Sequence, residues 1–166
     1  MVELRAPRFE SQRLLTTVCK ILDSTRLCSL ATVTPAGAPY INTTFISRTS
    51  DLRVHFLSDP ATQHCKNIAE QPLVAMTVFS TEQGWGEGLS GLQIFGTASL
   101  ASAEEGEANY AERFDNYREY WRGLSDEERS EFPGRFYVVQ PTRIKIFDED
   151  DYGEDVYVDA EVLSDR

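Results

Sequence analysis

Residues 27–58, LCSLATVTPAGAPYINTTFISRTSDLRVHFLS, predict three β-strands joined by two short turns. The first strand covers residues 27–34, and the turn that follows, residues 35–39, begins and ends with proline. The second strand covers residues 40–47, and after a short polar turn the third covers residues 52–58. These connections are too short for helical crossovers, so we expect the three strands to form an antiparallel meander.

Helices and further strands flank this meander. Apolar residues at helical spacing predict a helix over residues 11–23, and Ser58-Asp59-Pro60 predicts the start of a second helix, which ends before Pro72. Further strands are expected over residues 73–80, 89–100, 135–147 and, as a short seventh, 156–158. We therefore predict a mainly β fold with peripheral helices, in a closed or nearly closed antiparallel barrel, because closure removes exposed sheet edges.

A helical insertion is predicted over residues 103–132, between the fifth and sixth strands. Ser102 and Glu105 have the spacing of a capping box at its start. Four aromatic residues then share one face of a helix, a pattern typical of core packing: Tyr110, Phe114, Tyr117 and Trp121. Ser125 and Glu128 predict a short additional helix that closes the insertion.

The formal net charge of −11 is unevenly distributed. Residues 148–166 hold nine carboxylates and one arginine, a net charge of −8, whereas residues 1–147 hold 18 acidic and 15 basic side chains, a net charge of −3. A nucleic-acid-binding surface needs clustered Lys and Arg, so no nucleic-acid partner is expected. We interpret residues 1–147 as a single domain, including the N-terminal helix and the insertion, and residues 148–166 as an acidic C-terminal segment made of a solvated edge strand and a tail.

The sequence indicates a cytoplasmic protein. Residues 1–5 carry no apolar run of signal-peptide length, and no stretch approaches the length of a membrane-spanning helix, so no membrane partner is expected. The three cysteines, Cys19, Cys28 and Cys65, are odd in number and lack paired spacing, which indicates reduced thiols.

Neither a nucleophilic catalyst nor a metal site is predicted. No Gly-x-Ser-x-Gly sequence occurs, and Cys65 beside His64 on a helix points about 100° away from it, so we interpret Cys65 as a buried helix residue. The two histidines, His55 and His64, lie on different predicted elements and lack metal-ligand spacing.

The first turn of the second helix is a candidate anion site. Thr62, Gln63 and His64 lie there, where the free backbone N–H groups and the helix dipole favour an anion such as phosphate. Residues 40–68 hold three basic and two acidic side chains, a net charge of +1 within an acidic protein. A capped surface helix without a ligand explains the same residues, and the pattern alone does not decide between the two.

The order of several motifs resembles the pyridoxamine 5′-phosphate oxidase-like family of FMN-binding split-barrel proteins. Residues 27–41 are similar to the opening hairpin of that family, residues 54–75 to its phosphate-turn region, and residues 91–98 to its Gly-x-Ala strand. The resemblance covers about residues 12–147, and PTRIKIFD at residues 141–148 is most similar to an uncharacterised branch. It implies a six-stranded antiparallel split β-barrel that forms a homodimer, with FMN in a groove between the subunits.

The resemblance also implies which residues contact the cofactor. The second strand would lie beside the isoalloxazine ring, the third would offer main-chain contacts, the helix start would hold the phosphate, and one strand residue would face the groove from the same or the partner subunit. The residues beside the isoalloxazine ring would be Asn42, Thr43 and Thr44, and those with main-chain contacts would be Phe56, Leu57 and Ser58. The residues that hold the phosphate would be Thr62, Gln63 and His64, and the residue that faces the groove would be Gln93.

The sequence departs from the family at the phosphate turn and at the substrate-binding positions. His64 stands where the family usually has Lys or Arg. The second strand lacks the arginine, and the C-terminus lacks the Arg-Leu-x-Pro segment, of authentic pyridoxamine phosphate oxidases. We therefore expect an FMN-binding oxidoreductase with another substrate. The alternatives are a split barrel that binds a different cofactor, deazaflavin or haem, and a non-catalytic flavin carrier.

Overall fold

Residues 2–164 are described in a computed structural model, in which nine strands form one antiparallel sheet accompanied by six helices. The first half of the chain contains β1 (Val2–Arg5), α1 (Ser11–Ser24), β2 (Leu27–Val33), β3 (Pro39–Phe45), β4 (Ser47–Arg48), β5 (Val54–Ser58), α2 (Gln63–Glu70) and β6 (Leu73–Phe79). The second half contains β7 (Ser90–Leu100), α3 (Ala103–Arg113), α4 (Asp115–Gly123), α5 (Asp126–Glu131), β8 (Arg135–Asp148), α6 (Glu149–Tyr152) and β9 (Tyr157–Ser164).

Strand β8 organises the barrel because its two halves have different neighbours. On one side it pairs with β7, and on the other its first half pairs with β5 and its second half with β9. The sheet therefore runs from β3 through β2, β6 and β7 to β8, and then divides towards β5 and β4 or towards β9 and β1. Within residues 2–164, β3 pairs only with β2 and forms no ladder with β5, so the barrel stays open between them. The fold is a split barrel, as predicted.

A β-bulge lies near the point where β8 changes partners. Phe95 pairs with Arg143, but the next residue, Gly96, pairs with Pro141. A Cβ atom on Gly96 would lie 2.0 Å from the carbonyl oxygen of Gln140, so only glycine fits. The bulge bends the pair locally and increases its twist, which lets one long strand serve both parts of the sheet.

The inner face of the barrel and one face of α1 form a continuous apolar core. Strand residues such as Leu30, Phe56, Met76 and Ile144 are fully buried. The helical periodicity predicted for residues 11–23 is confirmed, since α1 buries a single stripe: Leu14, Thr17, Val18, Ile21 and Leu22.

The helical insertion packs on the outer face of the β5–β8 pair. The predicted aromatic stripe is divided between α3 and α4, which meet at Phe114 instead of forming one helix. Tyr110 is buried, and the rings of Tyr110 and Tyr117 both contact the ring of Phe136 edge-on. Helix α3 can approach β8 because Gly106 has no side chain: a Cβ atom there would lie 2.3 Å from the Phe136 ring.

Two sequence-based expectations about the outer elements are wrong. Helix α2 begins at Gln63, later than the Ser58-Asp59-Pro60 signal predicted, because the Asp59 carboxylate accepts from the Ala61 N–H and closes a separate turn. The acidic segment is not an edge strand, because β9 lies between β8 and β1 and buries Val158 and Ala160. The predicted tail at residues 165–166 lies outside the described residues, and the domain boundary at residue 147 stays a prediction.

Candidate functional site

The gap between β3 and β5 adjoins most of the predicted site residues. Strand β4 pairs only with Val54 and His55, so Phe56, Leu57 and Ser58 have a strand neighbour on the β8 side alone. Their backbone groups on the other edge are directed towards the gap, which β3 borders from the opposite side. Main-chain groups of residues 56–58 are therefore available to a ligand in the gap.

Strand alternation separates the three predicted residues of β3. Asn42 pairs with Leu30 and Thr44 with Cys28, and both partners are buried, so Asn42 and Thr44 point towards the barrel interior. Thr43 lies on the opposite, outer face of the sheet and is exposed. The Asn42 Oδ1 atom is buried without a hydrogen-bond partner among residues 2–164. Such an atom is costly to leave unpaired, so it marks a place where a ligand donor would stabilise the protein.

A polar cluster lies at the end of the gap where β5 leads into α2. The Ser58 Oγ atom lies 2.7 Å from His64 Nε2, and Thr62 Oγ1 lies 3.3 Å from the same nitrogen. The Thr62 hydroxyl donates to the Asp59 carbonyl oxygen at 2.7 Å. His64 is only 9% exposed, so its ring is held within the cluster and is not a freely mobile surface group.

The N-terminus of α2 carries no side-chain cap. The first backbone N–H groups of a helix have no partner within the helix, so those of residues 63–65 are available to an anion. A second chain of hydrogen bonds fixes the helix. Gln63 Nε2 donates to Asn67 Oδ1 at 2.7 Å, and Asn67 Nδ2 donates to Thr32 Oγ1 of β2 at 2.9 Å. Asn67 is completely buried, so this link anchors α2 against the barrel.

Cys65 lies beside the same cluster. Burial raises the pKa of its thiol, but the neighbouring polar side chains of His64, Thr62, Tyr137 and Ser58 outweigh that effect and lower the pKa to about 7. The pKa of Tyr137 is raised, first by burial and then by the neighbouring Cys65. The interpretation of Cys65 as a buried helix residue agrees with its 3% exposure.

Gln93 does not join the other site residues within one chain. It pairs with Thr77, which is aligned with Ser29 and then Thr43 along the outer face. Three strand spacings separate Gln93 from Thr43, about 14 Å. Within one chain, Gln93 therefore does not reach the gap.

Arg135 is a charged residue that sequence reasoning missed. It pairs with Ser58 in the β5–β8 ladder, although 77 positions separate the two residues. Its Nη1 atom donates to the Phe132 and Gly134 carbonyl oxygens, both at 2.8 Å. Only the register of β5 against β8 reveals this neighbour, and no local sequence signal carries that register.

Other kinds of site receive no support from residues 2–164. No group of three or more His, Cys, Asp or Glu side chains in this range is arranged to hold a metal ion. The other histidine, His55, is fully buried, with neither ring nitrogen hydrogen-bonded to a described residue. None of the helices in this range is long and apolar enough to cross a membrane.

Comparison with protein-family models gives a match to one family. The model described as pyridoxamine 5′-phosphate oxidase matches residues 15–148, which is most of the chain. No curated protein matches the sequence significantly.

Solved structures share the fold at low sequence identity. A putative pyridoxamine 5′-phosphate oxidase from Listeria innocua is 17% identical, with a TM-score of 0.64 over 80% of this chain and 97% of its own. A haem-binding protein from Mycobacterium smegmatis is 15% identical, with a TM-score of 0.67 over 93% of this chain and 59% of its own. An F420 reductase is 23% identical, with a TM-score of 0.56 over 75% of this chain and 93% of its own. At these identities the likeness establishes the fold alone.

Proposed function

Because the chain belongs to the pyridoxamine 5′-phosphate oxidase family, we propose that it is an FMN-binding flavoprotein oxidoreductase that acts as a homodimer. One observation carries the proposal: an uncapped helix N-terminus and a buried, unpaired amide oxygen border the same gap in the barrel. The first suits a phosphate, and the second suits an N–H donor of a flavin ring.

The residues of the gap fit the two ends of FMN. At the ring end, Asn42 Oδ1 would accept a hydrogen bond and the main chain of residues 56–58 would border the ring. At the phosphate end, the N–H groups of residues 63–65 would donate to oxygen atoms, and the His64 ring, whose Nε2 atom lies near Ser58 and Thr62, borders the same space. Bound flavin supplies hydride or electron transfer, and the protein supplies position, hydrogen bonds and exclusion of water.

The turn formed by residues 58–64 at the phosphate end contains no Lys or Arg. An FMN phosphate has a charge of about −1.5 to −2 at neutral pH, and the turn offers His64 where the family usually has a cation. We propose that His64 donates from Nε2 to the phosphate once FMN displaces its contact with Ser58. A hydrogen bond of this kind adds to the helix N–H groups without requiring a buried arginine.

The outer face of the sheet supports the homodimer. Large apolar side chains there are unusually exposed on β3 and β6, the two neighbours of β2, with Ile41 at 67%, Leu73 at 59% and Phe45 at 52%. Gln93 lies on this same face, so a partner docked on it would bring its own Gln93 close to the first subunit. We expect Ile41→Glu to yield a monomer in light scattering coupled to size exclusion. The control Tyr120→Glu, on exposed α4, should stay dimeric, and a monomeric wild type contradicts the proposal.

Paired ligands and variants test the cofactor. FMN and riboflavin, which lacks the phosphate, are titrated separately with quenching of flavin fluorescence as the readout. We expect FMN to bind at least tenfold more tightly than riboflavin. Asn42→Ala should weaken both ligands by a similar factor, whereas His64→Ala should weaken FMN by about tenfold and leave riboflavin unchanged. Absence of FMN binding at micromolar concentrations would refute the proposal.

Haem and deazaflavin remain the alternative cofactors, because the folds of a haem-binding protein and an F420 reductase are similar to this one. Neither histidine offers an exposed ring nitrogen: His55 is fully buried and His64 is bonded to Ser58. Ligation of a haem iron would therefore require His55 to become accessible or His64 to leave its contact with Ser58. A Soret band in purified protein would favour haem, and binding of deazaflavin in preference to FMN would favour that cofactor. Flavin that binds tightly but is never reduced would favour a carrier.

A further inference from the structure

A cavity of about 380 Å³ lies between the helical insertion and the outer face of the β5–β8 pair. Leu57 and Phe136 form its floor, and side chains of α3, α4 and the segment after α5 form its walls. All of these elements belong to one chain, so the cavity needs neither a cofactor nor a partner subunit. Its volume is in the range of small-molecule sites.

The cavity wall on α4 is flat and aromatic. The rings of Tyr117 and Trp121 lie within 17° of parallel, with centroids 6.1 Å apart, and Phe132 meets Trp121 edge-on at 5.4 Å. None of the residues of α4 is fully buried, although Tyr117 and Trp121 line the cavity. The aromatic rings that line the cavity favour a planar aromatic occupant over a branched aliphatic one.

Charge at the cavity indicates which chemical group the occupant carries. Arg135 lines the cavity and, within residues 2–164, forms no salt bridge, and its Nε and Nη2 atoms make no hydrogen bond to the protein. Arg129 also lines the cavity, but Asp126 lies 3.7 Å from it and its Nε atom donates to the Trp121 carbonyl oxygen. Glu107 on α3 adds one negative charge, which disfavours a dianion.

We propose that this cavity is a binding site for a planar aromatic molecule with a single carboxylate. The aromatic body packs between the floor formed by Leu57 and Phe136 and the wall formed by Tyr117 and Trp121. The carboxylate pairs with the free N–H groups of Arg135 at the end of the cavity. Arg129 is paired with Asp126 and Glu107 adds one negative charge, so the cavity favours a singly charged group over a phosphate ester.

The fluorescence of Trp121 reports ligand binding in the cavity, because this side chain lines it. The chain contains two tryptophans, and the other, Trp85, is completely exposed, so Trp85→Phe leaves Trp121 as the sole reporter. In that background, trans-cinnamate is titrated against cinnamyl alcohol, its neutral counterpart, without FMN. We expect saturable change of Trp121 emission by cinnamate, with a dissociation constant on the order of 100 µM. Cinnamyl alcohol should bind about tenfold more weakly, because it lacks the charge-assisted pair.

Three variants locate the ligand. Arg135→Gln should reduce cinnamate affinity to that of cinnamyl alcohol, whereas Arg122→Gln, an exposed arginine outside the cavity, should leave it unchanged. Ala103→Phe, at an exposed position that lines the cavity, should abolish binding of both compounds by filling space. Circular dichroism confirms that each variant is folded. Absence of saturation, equal affinity for both compounds, or cinnamate binding unaffected by Arg135→Gln or Ala103→Phe would overturn the proposal.

Discussion

The gap between β3 and β5 and the cavity under the insertion differ in how the chain builds them. At the gap, the polar residues come from short neighbouring segments and bond to one another, as in the Ser58–His64 pair and the Gln63–Asn67–Thr32 chain. At the cavity, apolar residues from β5, β8, α3 and α4 surround an open space. The Nε and Nη2 atoms of Arg135 make no hydrogen bond to residues 2–164 there. Sites built from short segments are visible as motifs, whereas sites built from long-range packing are not.

The largest expected effect comes from breaking the polar chain that anchors α2. Asn67→Ala removes a fully buried amide and leaves Gln63 Nε2 and Thr32 Oγ1 without their partner. We expect the free energy of unfolding to fall by about 3 kcal/mol, as measured by urea denaturation. FMN binding should weaken as well, because α2 carries the phosphate end.

The matched control is Lys66→Ala, the exposed neighbour on the same helix, with an expected change within about 0.5 kcal/mol. Folded Asn67→Ala should still bind cinnamate with wild-type affinity. A parallel loss of cinnamate binding would show that the gap and the cavity form one cooperative unit and are not independent sites.

A smaller effect is expected from adding one methyl group beneath α3. Gly106→Ala places a Cβ atom 2.3 Å from the Phe136 ring, so helix and strand must separate. Overpacking of this kind costs about 2 kcal/mol, although alanine by itself favours a helix. We expect reduced stability in urea and weaker cinnamate binding, with FMN binding unchanged.

Gly123→Ala is the control for Gly106→Ala, because it changes helix propensity without changing packing. Gly123 ends α4, and a Cβ atom there would have no neighbour within 4 Å. Its substitution should be neutral or stabilise the protein by up to about 1 kcal/mol. If both glycine variants behave alike, close packing of α3 on Phe136 does not shape the cavity.

The smallest expected effect is a pH dependence at His55, which lies on β5 beneath α3. Burial lowers the pKa of His55, partly offset by Glu105, whose Oε1 atom lies 3.7 Å from Nε2, while Arg53 lowers the pKa and Asp51 raises it. The unfolded chain then binds a proton more readily than the folded chain. The free energy of unfolding should therefore fall as the pH drops through about 6.5.

Comparison with His55→Gln isolates this contribution from that of the carboxylates. Urea denaturation at pH 7.5 and 5.5 should show a smaller pH-dependent loss of stability in the variant than in the wild type. If the wild type and the variant lose the same free energy of unfolding, His55 has the same pKa in the folded and unfolded chain. The contact of His55 with α3 would then not depend on pH.

Local patterns were sufficient for the elements whose residues are close in sequence. The periodicity of α1, the turn between β2 and β3 and the capping box of Ser125 and Glu128 all act within a few residues, and the structure confirms each of them. The expected meander of three strands is wrong in one respect, because the second strand is divided into β3 and β4 and only β4 pairs with β5. The sequence pattern places the start of α2 too early, because Asp59 caps a separate turn and not the helix. The spacing of the aromatic stripe predicts one helix, whereas the structure has two helices that meet at Phe114.

The sequence by itself determined a mainly β antiparallel barrel with peripheral helices and a candidate anion site at a helix start, because these depend on strand alternation, turn residues and helix-start signals. The order of its motifs, through their resemblance to a known family, also implied the split barrel and the other segments that border the gap. Only the tertiary structure decided that Thr43 lies on the opposite face from Asn42, that Gln93 lies three strands away, and that Arg135 pairs with Ser58. It also decided that β9 lies inside the sheet and that a cavity remains under α4. These features depend on strand register and on packing between distant segments, which no local interaction specifies.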